Sequence, residues 1–341
     1  MRFPLIIVVA VVLSSIAAIN GRAQTPGEQD EDVIRTETDL TNLLFTATDK
    51  NNRFIISLRQ EDIRVLEDGV PQTLFTFQRE TDRPLAVALL IDISASEERT
   101  LAQEKAAARA FVETIIRSNK DQAAVIPFSG SAFLEQALTR DVLSIYRALE
   151  RVEVAAPTYT GTGKPITGLP SGPGLATERE GWTAIWDSIA LTAGRILGPA
   201  EGQRRRAIVL LTDGWDTSSR VSMKTAIEQA IATETIIYAI GIGDKGFEGV
   251  DEGELRRIAE PTGGRAFFPK KKTDLTAAFE AIEQELRSQY LLAFSSTNKS
   301  RDGKFRQLQI ELSNPELQKE RLKLRYRPGY IAKASAAPTR P

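Results

Sequence analysis

The chain has 341 residues, with 44 Lys and Arg against 45 Asp and Glu, for a formal charge of −1. That length suits one large or two modest domains, and the balanced charge gives no footing for nucleic-acid binding. The sequence contains neither His nor Cys, which excludes disulfides, thiolate zinc sites, thiol nucleophiles, Ser-His-Asp triads and almost all transition-metal catalysis.

In chain order, Arg2 is followed by an apolar stretch over 3–19 and by small residues around Arg22. Residues 1–23 read as a secretory signal peptide, which implies export to the periplasm or beyond the cell. An uncleaved anchor is the alternative, and is the only route to a membrane that the sequence offers. Residues 24–36 are polar and acidic and are predicted to be disordered. Residues 37–83 are β-rich, with Asp68-Gly69 as a hairpin-type turn between strands. The acids there need only a backbone reason, so no calcium site is read from them.

The run Leu85 to Ile91 is apolar at successive positions, as in a strand buried on both faces. It ends in Asp92-Ile93-Ser94-Ala95-Ser96. Alternation along an extended chain would put Asp92, Ser94 and Ser96 on one side. Their oxygens suit a hard divalent cation such as Mg²⁺. Ser96 has a second reading as the cap of a helix over 97–117, whose first acids favour its positive end.

Strands over 123–128 and 132–137 follow, then a helix over 142–152. The Pro- and Gly-rich stretch 155–181 is a long loop, and loops of that length in compact domains are usually functional or disordered. Next come a helix after Thr183, a strand to Thr212, a helix over 222–233, a strand over 235–242, a short helix over 252–260 and a strand over 265–268. A last helix runs from Thr273 through Leu286. Alternation of this kind predicts an α/β fold, a doubly wound, mostly parallel sheet. Gly241 to Gly246 fits GxGxxG, but no close-packed helix opens after it, so no nucleotide site is read there. Strands over 289–295, 305–312 and 322–326 close the chain. Neither flank holds enough apolar residues for its own core. The expected layout is a central domain at 84–287 and one small β-sandwich built from 37–83 and 288–332, with a disordered tail at 333–341.

Asp92-x-Ser94-x-Ser96, then Thr183 in Gly-x-Thr-Ala-Ile-x-Asp, then Thr212-Asp213-Gly214 after a buried strand, resembles the metal-ion-dependent adhesion site of the von Willebrand factor A family. Glu61 to Gln72, Leu286 to Phe294 and Arg327-Pro-Gly-Tyr330 are similar to segments that flank this domain in secreted bacterial members. The resemblance implies a Rossmann-like domain that holds a divalent cation, Mg²⁺ before Mn²⁺ or Ca²⁺. Ser94 and Ser96 would bind it directly, Thr183 directly or through water, and Asp92 and Asp213 in the first or second shell. A partner protein's Asp or Glu would complete the coordination. Trp182, Trp215 and Tyr159 are the candidates for contacting that partner. The implied function is an exported, non-enzymatic protein-binding module. The alternative is a structural component of a cell-envelope complex in which the metal stabilises the fold.

Overall fold

The computed structural model describes residues 40–79, 82–155, 164–166, 182–200, 204–243 and 249–334. The signal-peptide and linker expectations for 1–36, most of the loop 155–181 with Tyr159, and most of the expected tail lie outside the described residues.

The leading flank forms β1 (Leu40–Thr48), β2 (Ile63–Glu67), β3 (Val70–Gln72) and β4 (Leu74–Arg79). The central part runs β5 (Leu85–Asp92), α1 (Leu101–Ile115), β6 (Gln122–Phe128), β7 (Phe133–Leu134), β8 (Gln136–Thr139), α2 (Val142–Arg151), β9 (Lys164–Pro165) and α3 (Ile185–Leu191). It continues with β10 (Arg205–Thr212), α4 (Met223–Ala232), β11 (Thr235–Gly241), α5 (Glu252–Ala259), β12 (Ala266–Phe267) and α6 (Lys272–Arg287). The closing flank forms β13 (Tyr290–Ser295), β14 (Phe305–Leu312), α7 (Pro315–Lys319), β15 (Lys323–Tyr326) and β16 (Gly329–Ile331).

Every residue of β5 is buried, as its unbroken apolar run requires of a strand covered on both faces. Among the described residues the central sheet is ordered β12-β11-β10-β5-β6-β8. All its neighbours are parallel except the edge pair β6 and β8. Alternation splits the side chains of β5 between two cores. Leu85, Val87, Leu89 and Ile91 pack with Phe111, Ile145 and Phe279, from α1, α2 and α6. Ala86, Ala88 and Leu90 pack with Ile189, Ala226 and Leu255, from α3, α4 and α5. The sheet is therefore doubly wound. The connection after β5 leads to β6 on one side, and the connection after β10 leads to β11 on the other. The adjacent C-terminal ends of β5 and β10 thus form the topological switch point, where open α/β sheets place their ligands.

The flanks interleave. One antiparallel sheet is β15-β1-β13-β4 and the other is β16-β14-β2-β3, so each draws strands from both ends of the chain. Leu43 and Phe45 of β1, Val65 of β2, Tyr290 and Leu292 of β13 and Leu308 of β14 share one core, making the expected small sandwich. Asp68 and Gly69 both have positive φ, at 48° and 80°, the geometry of a tight two-residue hairpin between β2 and β3. Residues from Asp39 onward cluster as one compact unit, and Ala334 bridges to Asp302.

Two local expectations change. The strand expected over 132–137 is broken into β7 and β8 at Glu135, a buried acid whose Oε1 accepts from Arg151 Nε at 2.5 Å. The helix expected from residue 97 starts only at Leu101, after a separate 3₁₀ turn over Ala95–Glu97.

Candidate metal centre

The register of the parallel sheet assembles this region. β10 pairs with β5 so that Leu211 lies beside Ile91. The next residues on the two strands, Thr212 and Asp92, therefore emerge side by side at the C-terminal edge. Thr212 Oγ1 donates to Asp92 Oδ2 at 2.6 Å, and the Ser94 amide donates to Asp92 Oδ1 at 2.9 Å. Both oxygens of a fully buried carboxylate are thus fixed in direction. Burial nevertheless pushes the Asp92 carboxyl up to about 7, and nearby Asp213 adds to the rise while the Thr212 and Ser94 bonds oppose it.

Ser94 Oγ and Ser96 Oγ lie 3.0 Å apart. The tight turn over Ala95–Glu97 brings them together, rather than the strand alternation expected from the spacing. Ser96 does not cap α1, whose N-cap position is Thr100, so the helix-capping reading of this serine falls away. Asp213 follows β10 and is buried; its Oδ1 accepts from the Trp215 amide at 3.1 Å. Thr183 is also buried, on the loop before α3. Its carbonyl accepts from the Thr217 and Ser218 amides at 2.9 and 3.0 Å, and its amide donates to Thr217 Oγ1 at 2.8 Å. The Thr183 loop is therefore clamped to the segment just after Asp213.

One carboxylate oxygen each from Asp92, Glu97 and Asp213 lie within 4.8 Å of one another, all three residues being buried. Glu97 was not among the sequence candidates. Glu97 Oε2 accepts from Thr100 Oγ1 at 2.6 Å, while Oε1 has no hydrogen-bond partner among the described residues. Glu104, in the first turn of α1, is buried as well. Burial raises the carboxyls of both glutamates, and for Glu97 the charge of Glu104 adds to the rise. A usable signal existed for Glu104: it shares the helical face of Leu101, Ala108 and Phe111, which are otherwise core positions. Nothing in the local pattern marked Glu97 as buried. Three crowded carboxylates beside paired hydroxyls form an all-oxygen donor set. Such a set fits a hard divalent cation and no soft metal.

Residues 174–282 match the von Willebrand factor type A domain family. Over that segment the chain is similar to a von Willebrand factor type A domain. The match takes in Thr183 and Asp213 and begins after the Asp92 segment. A UPF0353 protein from Nocardia farcinica (strain IFM 10152) is 25% identical over 230 residues, covering 59% of this chain and 62% of that relative. Among solved structures, a von Willebrand factor type A protein from Catenulispora acidiphila is 15% identical, over 88% of this chain and 75% of that one, with a TM-score of 0.47. The proximal thread matrix protein 1 of the mussel byssus, solved with zinc in its MIDAS motif, is 19% identical over 65% of this chain and 50% of that one, with a TM-score of 0.48. An aerotolerance-related membrane protein from Bacteroides fragilis NCTC 9343 is 22% identical over 59% and 98%, with a TM-score of 0.44.

Around the domain's C-terminal edge, Trp182 is 49% and Trp215 39% exposed, whereas Trp186 is buried. Trp215 is pinned by its indole N–H, which donates to the Gly249 carbonyl at 3.0 Å. The two other nearby acids are committed to loop structure. Asp187 Oδ1 accepts from the Arg220 and Val221 amides at 2.8 and 2.9 Å. Asp216 Oδ1 accepts from the Ile185 amide at 2.7 Å and from Ser219 Oγ at 2.5 Å. Gly241, the first glycine of the GxGxxG match, has a packing reason instead. A Cβ there would sit 2.6 Å from Val250 Cγ1 and 2.8 Å from Phe268 Cδ1. Among the described residues no helix is long and apolar enough to cross a membrane.

Proposed function

We propose that the chain is an exported protein-binding module. It engages an acidic group of a partner protein through a divalent cation, Mg²⁺ before Mn²⁺ or Ca²⁺, at Asp92, Ser94, Ser96, Thr183 and Asp213. The observation that carries this reading is the convergence of Asp92 and Asp213 with the paired Ser94 and Ser96 hydroxyls at the switch point of the sheet. The clamp between the Thr183 loop and the residues after Asp213 supports adding Thr183 to that set. Export rests on the signal-like character of residues 1–23. A hydrolytic role has little support. There is no His, and Asp187 Oδ1 and both Asp216 oxygens are engaged by backbone amides and a serine hydroxyl in holding loop structure. Trp182 and Trp215 would form an aromatic rim for the partner, since exposed tryptophans are common anchors of interfaces.

The test is calorimetric titration of Mg²⁺ and Mn²⁺ into the protein, beside Asp92→Ala and Thr183→Ala. Binding in the parent that both folded variants lose is the expected result, and no binding in a folded parent would sink the reading. A structural role, with the metal only stabilising the fold, is separated by partner capture: folded Asp92→Ala would then still hold its partner.

A further inference from the structure

Glu97 makes a demand that the five adhesion-site positions do not meet. It follows Ser96 directly, is fully buried, and keeps one carboxylate oxygen, Oε1, without a hydrogen-bond partner among the described residues. Its own turn places a carboxylate oxygen in the same cluster as those of Asp92 and Asp213, all within 4.8 Å of one another. Glu104 sits behind it and offers no positive charge to offset it. A buried carboxylate left unpaired is costly, and three together repel one another. No Lys or Arg is paired with Glu97 in the described ion pairs. The group able to satisfy all three carboxylates at once is a cation among them. Two ligands of one ion can be at most two bond lengths apart, about 4.2 Å for Mg²⁺ and about 4.8 Å for Ca²⁺, so a cluster within 4.8 Å meets the reach of Ca²⁺ as it stands and closes around Mg²⁺ with side-chain shifts of about half an ångström.

Resting on the function proposed above, we infer that Glu97 is a resident carboxylate ligand of the cation at the DxSxS site and competes there with any acid that a partner brings. Asp92 and Asp213 alone balance a divalent charge. With Glu97 ligating as a carboxylate, its proton displaced by the ion, the protein supplies three negative charges against two positive ones. The ion is then held more tightly by the chain, and an incoming carboxylate meets a centre that no longer attracts it. Capture of an acidic partner requires Glu97 to withdraw. The residue thereby sets a threshold on partner acidity and on affinity.

The test uses the full chain as parent, Glu97→Gln, Glu97→Ala and Asp92→Ala, with Mn²⁺ as the metal and acetate as the simplest carboxylate. Mn²⁺ affinity is measured by calorimetry, and the number of waters on bound Mn²⁺ by electron paramagnetic resonance in ¹⁷O-enriched water. Loss of a ligand should weaken Mn²⁺ binding at least as much as loss of a ligand's supporting partner, about tenfold or more. Bound Mn²⁺ in Glu97→Ala should gain one inner water, and acetate should bind the Mn²⁺-loaded variant more tightly than the loaded parent. Should Glu97→Ala not fold, Glu97→Gln keeps the shape of the side chain, and its Mn²⁺ affinity decides. Unchanged Mn²⁺ affinity and water count in the Glu97 variants, with binding still lost in Asp92→Ala, would overturn this inference alone. A folded parent that takes up no Mn²⁺ would overturn the adhesion-site reading along with it.

Discussion

Thr212 shows how much of this site depends on groups other than the ligands themselves. Its hydroxyl fixes Asp92 Oδ2 at 2.6 Å and also accepts from the Gly214 amide at 3.2 Å, so it ties the two strand ends together. Thr212→Val keeps the shape and the β propensity but frees Asp92 to turn. We expect Mg²⁺ or Mn²⁺ affinity to fall by roughly 10- to 100-fold, as supporting partners of ligands generally cost when removed, and stability to fall by about 1–3 kcal/mol because Asp92 and the Gly214 amide lose a buried partner; calorimetry and thermal denaturation separate the two effects. Asp121 is the contrasting acid. It is buried, yet Arg117 Nε and Nη2 donate to it at 2.5 and 2.9 Å, and the Leu85 and Arg117 amides at 2.8 and 3.0 Å. Burial pushes its carboxyl up, but the Arg117 guanidinium and the two amides more than offset this and hold it below the usual range. A depressed folded-state value means that its contribution is present above the ordinary carboxylate range. That contribution fades as pH falls through the ordinary value of 3.8 and below. Asp121→Ala removes the acceptor of the Leu85 and Arg117 amides and of the Arg117 guanidinium, which keeps its bond to the Arg83 carbonyl, and should cost about 2–3 kcal/mol at neutral pH. The difference from the parent should shrink in urea melts taken at progressively lower pH, and a constant difference would refute the account. These residues also mark where sequence reading stopped. Asp92, Ser94 and Ser96 were legible because spacing and residue type carry their chemistry. Glu97 was not, because its burial depends on a tight turn that displaces the start of α1 from residue 97 to Leu101.

At the level of elements, β5 was the most legible part of the chain, because eight consecutive buried positions leave no choice but a central strand. Its alternation between two cores gives a sharp expectation. Leu89 is fully buried against the α1 and α6 side. Leu89→Ala should cost about 2–5 kcal/mol through lost transfer energy and the cavity left behind. Leu143 on α2 is 61% exposed, so Leu143→Ala should stay within roughly 0.5 kcal/mol of the parent. Equal effects in a chemical denaturation series would mean that the two-faced packing is wrong. The flanking strands were less legible. The shortage of apolar residues in each flank required them to share a core, but period-two patterns do not say which strands pair. The order β15-β1-β13-β4 follows from long-range partners such as Phe45 and Tyr290, whose rings stack with centroids 5.0 Å apart. Contacts so distant in sequence leave no local trace.

Across the whole molecule, the sandwich and the candidate metal centre occupy opposite ends of the central sheet. The sandwich meets the N-terminal edge. Arg327, directly after β15, is buried and donates through Nη2 to the Asn42 carbonyl on β1 at 2.5 Å and through Nη1 to the Ile231 carbonyl at the end of α4 at 3.4 Å. Nearby, Arg325 Nε lies 3.8 Å and Arg265 Nε 3.0 Å from Glu285, joining β15 to α6 and to the residue before β12. Asp92 and Asp213 stand at the C-terminal edge, and β11 alone has seven residues between the two. At about 3.3 Å per residue, that separation is roughly 20 Å, well beyond the screening length of about 8 Å at physiological salt. The cation site should therefore be electrostatically independent of the latch. Arg327→Ala removes the donor from two carbonyls at once and should cost about 1.5–3 kcal/mol, the range for hydrogen bonds to a charged group. Its signature should be local: faster amide hydrogen exchange in β1, at the end of α4 and in the first residues of β11, with Mg²⁺ and Mn²⁺ affinity unchanged. Because the sandwich shares one compact unit with the central domain, the alternative is that loosening the latch propagates through β11 and β10 to Asp213. Hydrogen exchange and calorimetry on the same sample decide between them. Metal affinity that falls together with protection at β1 would show that the sandwich tunes the site, and would make the two ends of the sheet one mechanical system.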